Sequence, residues 1–231
     1  MTTVVLLPGM DGSGTLFDDF IKALGARTKI IAYPPDQPLA YEALAAYVEA
    51  RLPPDDDFIV LGESFSGPIA IRIAAQRSTR LRALVLVCTF AKMREKPGPA
   101  IFRWLLCRLP FWRMPARLGA PALLGDGDTA ALRDKLLSAV SVVRPDVWRT
   151  RMHSILSVDV TTQLRSARVP ILYLQANADR IVPARATAFV SEAQPSVEVV
   201  AIAGPHALLQ TRAEACALAL RSFADRHNIA L

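Results

Sequence analysis

The sequence has few cysteines, and the three present, Cys88, Cys107 and Cys216, lie far apart. No Cys-x-x-Cys pair occurs, which argues against a structural zinc site, and an odd number of cysteines argues against a complete disulfide framework. We therefore expect each cysteine to be a small core residue. Unpaired cysteines also favour a reducing compartment.

Long hydrophobic runs are absent as well. Although 52% of the 231 residues are hydrophobic, no stretch reaches the roughly 18 apolar residues of a membrane-spanning helix. The sequence begins Met1-Thr2-Thr3 and enters a strand-like run without the pattern of a signal peptide. The expected location is the cytoplasm. The length suits one α/β domain that carries an insertion.

Positive charge is unevenly distributed. Residues 90–160 contain 12 Lys/Arg and 6 Asp/Glu, whereas the rest of the chain has 15 of each. The whole net charge of +6 therefore comes from one middle segment. Because the flanking parts are neutral and carry no nucleic-acid-binding motif, we expect no nucleic-acid partner.

Apolar strand-like runs alternate with helical patterns on both sides of this segment. Strands are predicted at 3–7, 29–33, 58–61, 81–87, 169–175 and 197–202, and helices from 16 and over 41–52, 184–193 and 212–224. Strands that are apolar throughout and alternate with helices indicate a parallel sheet covered on both faces. The predicted fold class is α/β, with about six mostly parallel strands.

The middle segment breaks this alternation. Residues 92–160 contain six prolines and several amphipathic helical pieces, with no convincing strand. We interpret 92–160 as a helical cap or lid inserted into a core formed by residues 1–91 and 161–231.

A strand, a sharp turn and a helix are predicted in succession over residues 58–70. The apolar run of the strand ends at Gly62, helical spacing begins after Gly67, and Ser64 lies at the apex of the turn. A serine there projects its hydroxyl beyond the end of the sheet. The positive ends of the Phe65 amide dipole and of the helix dipole point toward the group that the hydroxyl attacks.

This turn resembles the nucleophile elbow Gly-x-Ser-x-Gly of the α/β-hydrolase family, and in particular its serine esterases and lipases. Ser66 stands where the last glycine is usual, and Gly67 follows it. We interpret Ser66 as a tolerated small residue at a position where strand and helix backbones approach closely. The family usually has eight strands, and this chain opens where the third would be.

The resemblance implies a catalytic triad of Ser64, Asp179 and His206. A serine hydroxyl needs a base, usually a histidine that a carboxylate orients. His206 follows the last predicted strand and Asp179 the one before it, which is the family's order along the chain. The other histidines lie in the insertion, His153, and in the C-terminal tail, His227. Asp159 is an alternative carboxylate.

The resemblance also places the oxyanion hole. Aligning Pro8-Gly9 with the family's His-Gly puts one amide donor at Met10, and the other is Phe65. The following Gly12-Ser13-Gly14 superficially suits a dinucleotide-binding loop. However, Phe17 replaces the third glycine, and no Gly-Lys-Ser/Thr is present, so the nucleotide interpretation is disfavoured.

The resulting prediction is a serine hydrolase for a carboxylic ester or thioester, with no metal and no cofactor. Acyltransferases and lyases of the family use the same triad, so these activities are alternatives to hydrolysis. A further alternative is a receptor of the same fold that binds a ligand without catalysis. Trp104, Phe111 and Trp112 in the basic, aromatic insertion are candidates for binding an acyl or lipid-like substrate. Contact with a membrane surface and ordinary packing are alternative roles for the insertion.

Overall fold

The computed structural model describes residues 1–76, 78–93 and 116–231. Their strands are β1 (Thr3–Leu7), β2 (Thr28–Ile30), β3 (Phe58–Glu63), β4 (Leu81–Val87), β5 (Ile171–Ala176) and β6 (Glu198–Ile202). The six form one sheet in the order β2-β1-β3-β4-β5-β6, and every neighbouring pair is parallel. The predicted α/β class with a six-stranded parallel sheet is confirmed.

Helices precede and follow these strands along the described chain. They are α1 (Asp18–Leu24), α2 (Tyr41–Glu49), α3 (Gly67–Ala75), α4 (Ala116–Leu124), α5 (Ala130–Ser141), α6 (Pro145–Ser157), α7 (Thr161–Ser166), α8 (Arg185–Ala193), α9 (Leu208–Thr211) and α10 (Ala213–Arg226). Short 3-10 turns occur at Thr15–Phe17, Ser64–Ser66 and Gly125–Gly127. None of the described helices combines the length and the apolar character needed to cross a membrane.

The alternation of side chains along each strand builds two apolar layers. Val4 and Leu6 of β1 belong to a cluster that includes residues of α1, α9 and α10. Val5 and Leu7 face the other way, into a cluster with residues of α2, α3, α7 and α8. All four side chains are buried. Helices cover both faces of the sheet, which explains why the inner strands β1, β3, β4 and β5 are almost wholly buried.

Strand β2 ends earlier than predicted, and one short helix was not predicted. Strand β2 ends at Ile30 rather than at residue 33, because the chain bends toward the loop after β1 and Tyr33 N donates to Gly12 O at 2.8 Å. An edge strand has one neighbour, so less of its length is fixed by pairing. The four-residue helix α9 was not predicted, since one helical turn has too little periodicity to detect.

The described part of the predicted insertion is helical, and no strand occurs in residues 116–160. Its two ends meet beside β4, where Val160 N donates to Ala91 O at 2.9 Å and Lys92 forms a salt bridge with Asp159.

The same segment rests on loops at the carboxyl edge of the sheet. Leu123 O accepts from Ala207 N in the loop after β6, and Arg144 N donates to Pro35 O beyond β2, both at 2.9 Å. Helix α5 also contacts the 3-10 turn that follows β1. The segment therefore lies at the end of the sheet where Ser64 is located.

Candidate active site

The turn after β3 holds Ser64 in a strained conformation. Its φ is 49°, a left-handed value that non-glycine residues rarely adopt. Gly62 makes the turn possible, because a Cβ at that position would lie 2.7 Å from the backbone oxygen of Ser66. A Cβ on Gly67 would collide with the side chain of Thr89, which donates a hydrogen bond to Ser64 O. The close approach of strand and helix thus occurs at the two glycines.

Three predicted side chains are brought together from the ends of three strands. Ser64 Oγ lies 2.9 Å from Nε2 of His206, and Nδ1 of the same imidazole lies 2.8 Å from Oδ2 of Asp179. The second carboxylate oxygen of Asp179 accepts from the amides of Ile181 and Val182, each at 2.8 Å. These amides fix the carboxylate. An Nδ1–H donated to Asp179 leaves Nε2 free to accept from Ser64.

Hydrogen bonds join the two loops that carry Asp179 and His206. Ala178 N donates to Gly204 O at 3.0 Å, and Gly204 N donates to the Asn177 side-chain oxygen at 3.2 Å. Because these bonds join the ends of neighbouring strands β5 and β6, the spacing between carboxylate and imidazole is set by the sheet.

The loop after β1 forms a tight turn beside the elbow. Gly12 N donates to Gly9 O at 3.1 Å, with Met10 and Asp11 in the two central positions. The Asp11 carboxylate accepts from Ser13 N at 2.8 Å and from Ser13 Oγ at 2.5 Å, which orders the chain that follows the turn.

Ser66 connects this loop to the elbow, which corrects our interpretation that serine is merely tolerated at this position. Its side chain is fully buried, donates to Pro8 O and lies 2.5 Å from the Tyr33 hydroxyl. The Tyr41 hydroxyl donates to Phe65 O at 2.9 Å, and the two rings stack with centroids 4.8 Å apart. Glycine would supply none of the Ser66 contacts, and the elbow motif alone did not reveal them.

Residues 4–219 match the sequence profile of the alpha/beta hydrolase family. The chain belongs to this family.

Three known proteins illustrate what this chain is similar to. It is 32% identical over 253 residues to polyketide synthase ThaQ of Burkholderia thailandensis, covering 96% of the chain but 12% of that much longer protein. It is 25% identical to RutD of Caulobacter sp. strain K31, which is named a carbamate hydrolase, over 96% of the chain and 90% of the relative. The solved esterase EaEST from Exiguobacterium antarcticum has the same fold, with a TM-score of 0.82, 14% identity, and 97% and 92% coverage.

The chain also has a buried carboxyl group directly before the elbow serine. Gln210 Nε2 donates to Glu63 Oε1 at 3.0 Å. The pKa of Glu63 is raised from 4.5 to about 7, chiefly by burial and with a smaller contribution from the nearby Asp11, while Gln210 and His206 act to lower it. The Gln210 side-chain oxygen is buried without a hydrogen-bond partner among the described residues. Sequence analysis did not single out either residue, although the glutamate is adjacent to Ser64.

One group of side chains in the described part of the chain has the spacing of metal ligands. Ligand atoms of Cys88, Asp179 and His206 lie within 4.8 Å of one another. Burial raises the pKa of the Cys88 thiol well above its ordinary value, so the thiol is protonated and a poor ligand. The carboxylate and the imidazole are bonded to each other, which favours acid–base chemistry over metal binding.

The alternative histidines and the alternative carboxylate lie away from the triad. His153 is exposed on α6, and His227 pairs with Glu198 at 2.6 Å. The alternative carboxylate, Asp159, bonds to Lys92 and Thr161 rather than to His206. Cys88 and Cys216 are buried free thiols. Cys107 and the three proposed substrate-binding aromatics lie outside the described residues, namely Trp104, Phe111 and Trp112.

Proposed function

We propose that this alpha/beta hydrolase is a serine hydrolase that cleaves a carboxylic ester or thioester through an acyl-enzyme on Ser64. The observation that carries the proposal is the continuous hydrogen-bonded line from the Ser64 hydroxyl through His206 to the Asp179 carboxylate, at 2.9 and 2.8 Å. Serine becomes a useful nucleophile only when such a base can take its proton.

In the proposed reaction, Ser64 Oγ attacks the substrate carbonyl carbon while His206 Nε2 takes the hydroxyl proton. The bond to the alcohol or thiol then breaks, and the imidazolium gives that proton to the leaving group. Water attacks the resulting acyl-enzyme with His206 again as the base. The carboxylate product leaves, and the serine hydroxyl is restored. Asp179 holds the imidazole tautomer and stabilises its charged form throughout.

Negative charge develops on the carbonyl oxygen in both halves of the reaction. We assign the Met10 and Phe65 amides as its donors. The strained turn carries Phe65 next to the nucleophile, and bonds from Gly12 and Ser66 order the loop that carries Met10. Each fixed donor of this kind commonly lowers the free energy of the transition state by a few kcal/mol.

We further propose that residues 92–160 act as a cap that selects substrates. The contacts of residues 116–160 with loops at the carboxyl edge support this role. The excess of positive charge in the segment favours substrates with a carboxylate or phosphate group. Its aromatic residues remain the candidates for lining the acyl path.

Turnover assays with a panel of substrates test the function. Nitrophenyl esters and acyl-CoA thioesters of graded chain length, together with an aryl carbamate suggested by the name of RutD, would be given to wild type and variants. Ser64→Ala and His206→Ala should lose activity to about the same extent, because nucleophile and base act as a unit. The matched control His153→Ala, at an exposed histidine, should stay within a few-fold of wild type.

Activity that survives Ser64→Ala would overturn the nucleophile assignment. Binding of panel members without turnover by wild type would favour the receptor alternative. The ratio of ester to thioester turnover would separate the two substrate classes.

A further inference from the structure

Helix α6 contributes a buried arginine that sequence analysis did not select. The Arg151 side chain is 1% exposed, which makes it the largest fully buried side chain of the described residues. A buried guanidinium usually has a carboxylate partner. Among the ion pairs within residues 1–76, 78–93 and 116–231, none includes Arg151. Its hydrogen bonds go to backbone carbonyls instead.

These carbonyls belong mainly to the tight turn after β1. Arg151 Nη1 donates to Met10 O at 2.7 Å and to Asp11 O at 3.0 Å, and Nη2 donates to Pro34 O at 3.3 Å. The guanidinium also lies 5.7 Å from the centre of the Tyr33 ring. A single side chain thus bonds to both central residues of the turn and to the chain beyond β2.

The turn is shaped to receive the guanidinium. Gly12 has a φ of 74°, and a Cβ at this position would lie 2.8 Å from Arg151 Nη1. The missing side chain of Gly12 therefore provides the space in which the guanidinium packs. Any larger residue would strain the backbone and press against the arginine.

We propose that Arg151 is a positioning residue that holds the Met10 amide in the orientation required to bind the oxyanion. The inference rests on the proposed function. The peptide before the Met10 Cα is fixed by the bond from Gly12 N to Gly9 O, and the peptide after it is fixed by the guanidinium. With both peptides fixed, the Met10 N–H cannot rotate away. A donor lowers the barrier most when its direction is set before the reaction.

The competing explanation is that Arg151 only joins α6 to the core. In that case its loss would lower stability while folded molecules kept their turnover rate. Arg151→Met tests this, because methionine keeps an unbranched apolar side chain but removes the charge and every donor. Arg151→Lys keeps the charge but not the planar fork that reaches several carbonyls. Arg165→Met is the control, since it removes an exposed arginine from α7, outside residues 92–160.

We expect Arg151→Met to lower kcat for the best ester by about 10- to 100-fold. This is less than the roughly 10²- to 10³-fold loss on removing a donor outright, because the Met10 amide is still present. KM should change less than about 3-fold, since the substrate carbonyl gains most from the donor when it becomes an oxyanion. Affinity for a matching trifluoromethyl ketone, which forms a tetrahedral adduct with Ser64, should fall in parallel with kcat. Arg151→Lys should lose less, and Arg165→Met should match wild type.

Unchanged kcat in a folded Arg151→Met protein, with only a lower melting temperature, would overturn the positioning role. An equal loss in Arg165→Met would do the same. If circular dichroism shows that Arg151→Met does not fold, Arg151→Lys tests the positioning role instead. A lower kcat with a nearly unchanged KM would support the role, and an unchanged kcat would overturn it. Absence of turnover in wild type would overturn the proposed function and this inference with it. Turnover in wild type with insensitive Arg151 variants would overturn the inference alone.

Discussion

The Ser66 hydroxyl joins the elbow to the loop after β1. It donates to Pro8 O and lies 2.5 Å from the Tyr33 hydroxyl, in a fully buried position. A buried hydrogen-bond network of this kind stabilises the fold only if every member keeps a partner.

Ser66→Ala should therefore lower the free energy of unfolding by about 1 to 3 kcal/mol, because a buried hydroxyl and a buried carbonyl lose their partner. Urea unfolding measures the change. Adding Tyr33→Phe to Ser66→Ala should cost less than the sum of the single changes, since the two side chains interact directly. Strict additivity, or a loss below about 0.5 kcal/mol for the single variant, would contradict this account of Ser66.

Glu63 should give the fold a distinctive dependence on pH. Its pKa is raised from 4.5 to about 7 by burial, so the folded state binds its proton more tightly than the unfolded state. Between those two values the folded protein holds more protons, and stability must fall as the pH rises. The destabilisation is complete above about pH 7.

Glu63→Gln removes this titration while the shape of the side chain is kept. The free energy of unfolding of the variant, relative to wild type, should rise by about 3 kcal/mol between pH 4.5 and pH 8, as expected for a shift of about 2.5 pH units. Urea unfolding of both proteins across this range tests the expectation. A difference that stays constant with pH would show that Glu63 titrates normally.

The strand-turn-helix element depends on Gly62. A Cβ there would lie 2.7 Å from Ser66 O and 2.8 Å from Ala70 Cβ, both within the elbow and α3, so the backbone would have to shift. Gly119 offers a matched comparison, because it is exposed in α4 and an added Cβ would have no neighbour within 4 Å among the described residues.

Gly62→Ala should lower the free energy of unfolding by about 2 kcal/mol or more, in the range of overpacked cores. Gly119→Ala should raise it by about 0.5 to 1 kcal/mol, because alanine is the better helix former. Thermal unfolding of both variants tests the pair. Similar effects at the two positions would contradict the prediction, because they would mean that the elbow backbone shifts readily to make room for a Cβ at Gly62.

Elements with a strong local pattern could be predicted from the sequence, whereas those that depend on distant partners could not. Strand β4 has the predicted bounds, because a run that is apolar apart from Arg82 begins directly after Arg80 and is followed by Cys88 and the polar Thr89. Ser64, Asp179 and His206 were selected because each follows a strand in a known order. Arg151 was missed because its partners are carbonyls about 140 positions away along the chain, and carbonyls leave no sequence signal.

At the scale of the whole molecule, charge is concentrated in the middle segment. Residues 90–160 carry 12 basic and 6 acidic side chains, while the remainder is balanced. If this segment caps the site, its charge should attract anionic substrates over the roughly 10 Å within which 0.1 M salt screens exposed charges.

Paired charge reversals among Arg103, Arg108 and Arg113 should raise KM for esters that carry a carboxylate or phosphate, with little change for neutral esters. Steady-state kinetics at low and high salt would show the effect, and added salt should reduce it. If both substrate types respond equally, the charge of the segment has no role in selection.

Labelling with a fluorophosphonate tests the central claim, that Ser64 is a nucleophile activated by His206, most directly. Intact-protein mass spectrometry should show one adduct on wild type, and peptide mapping should locate it at Ser64. His206→Ala should be labelled far more slowly, and Ser64→Ala should not be labelled. An adduct on Ser13 or Ser66, or labelling that persists in Ser64→Ala, would contradict the claim.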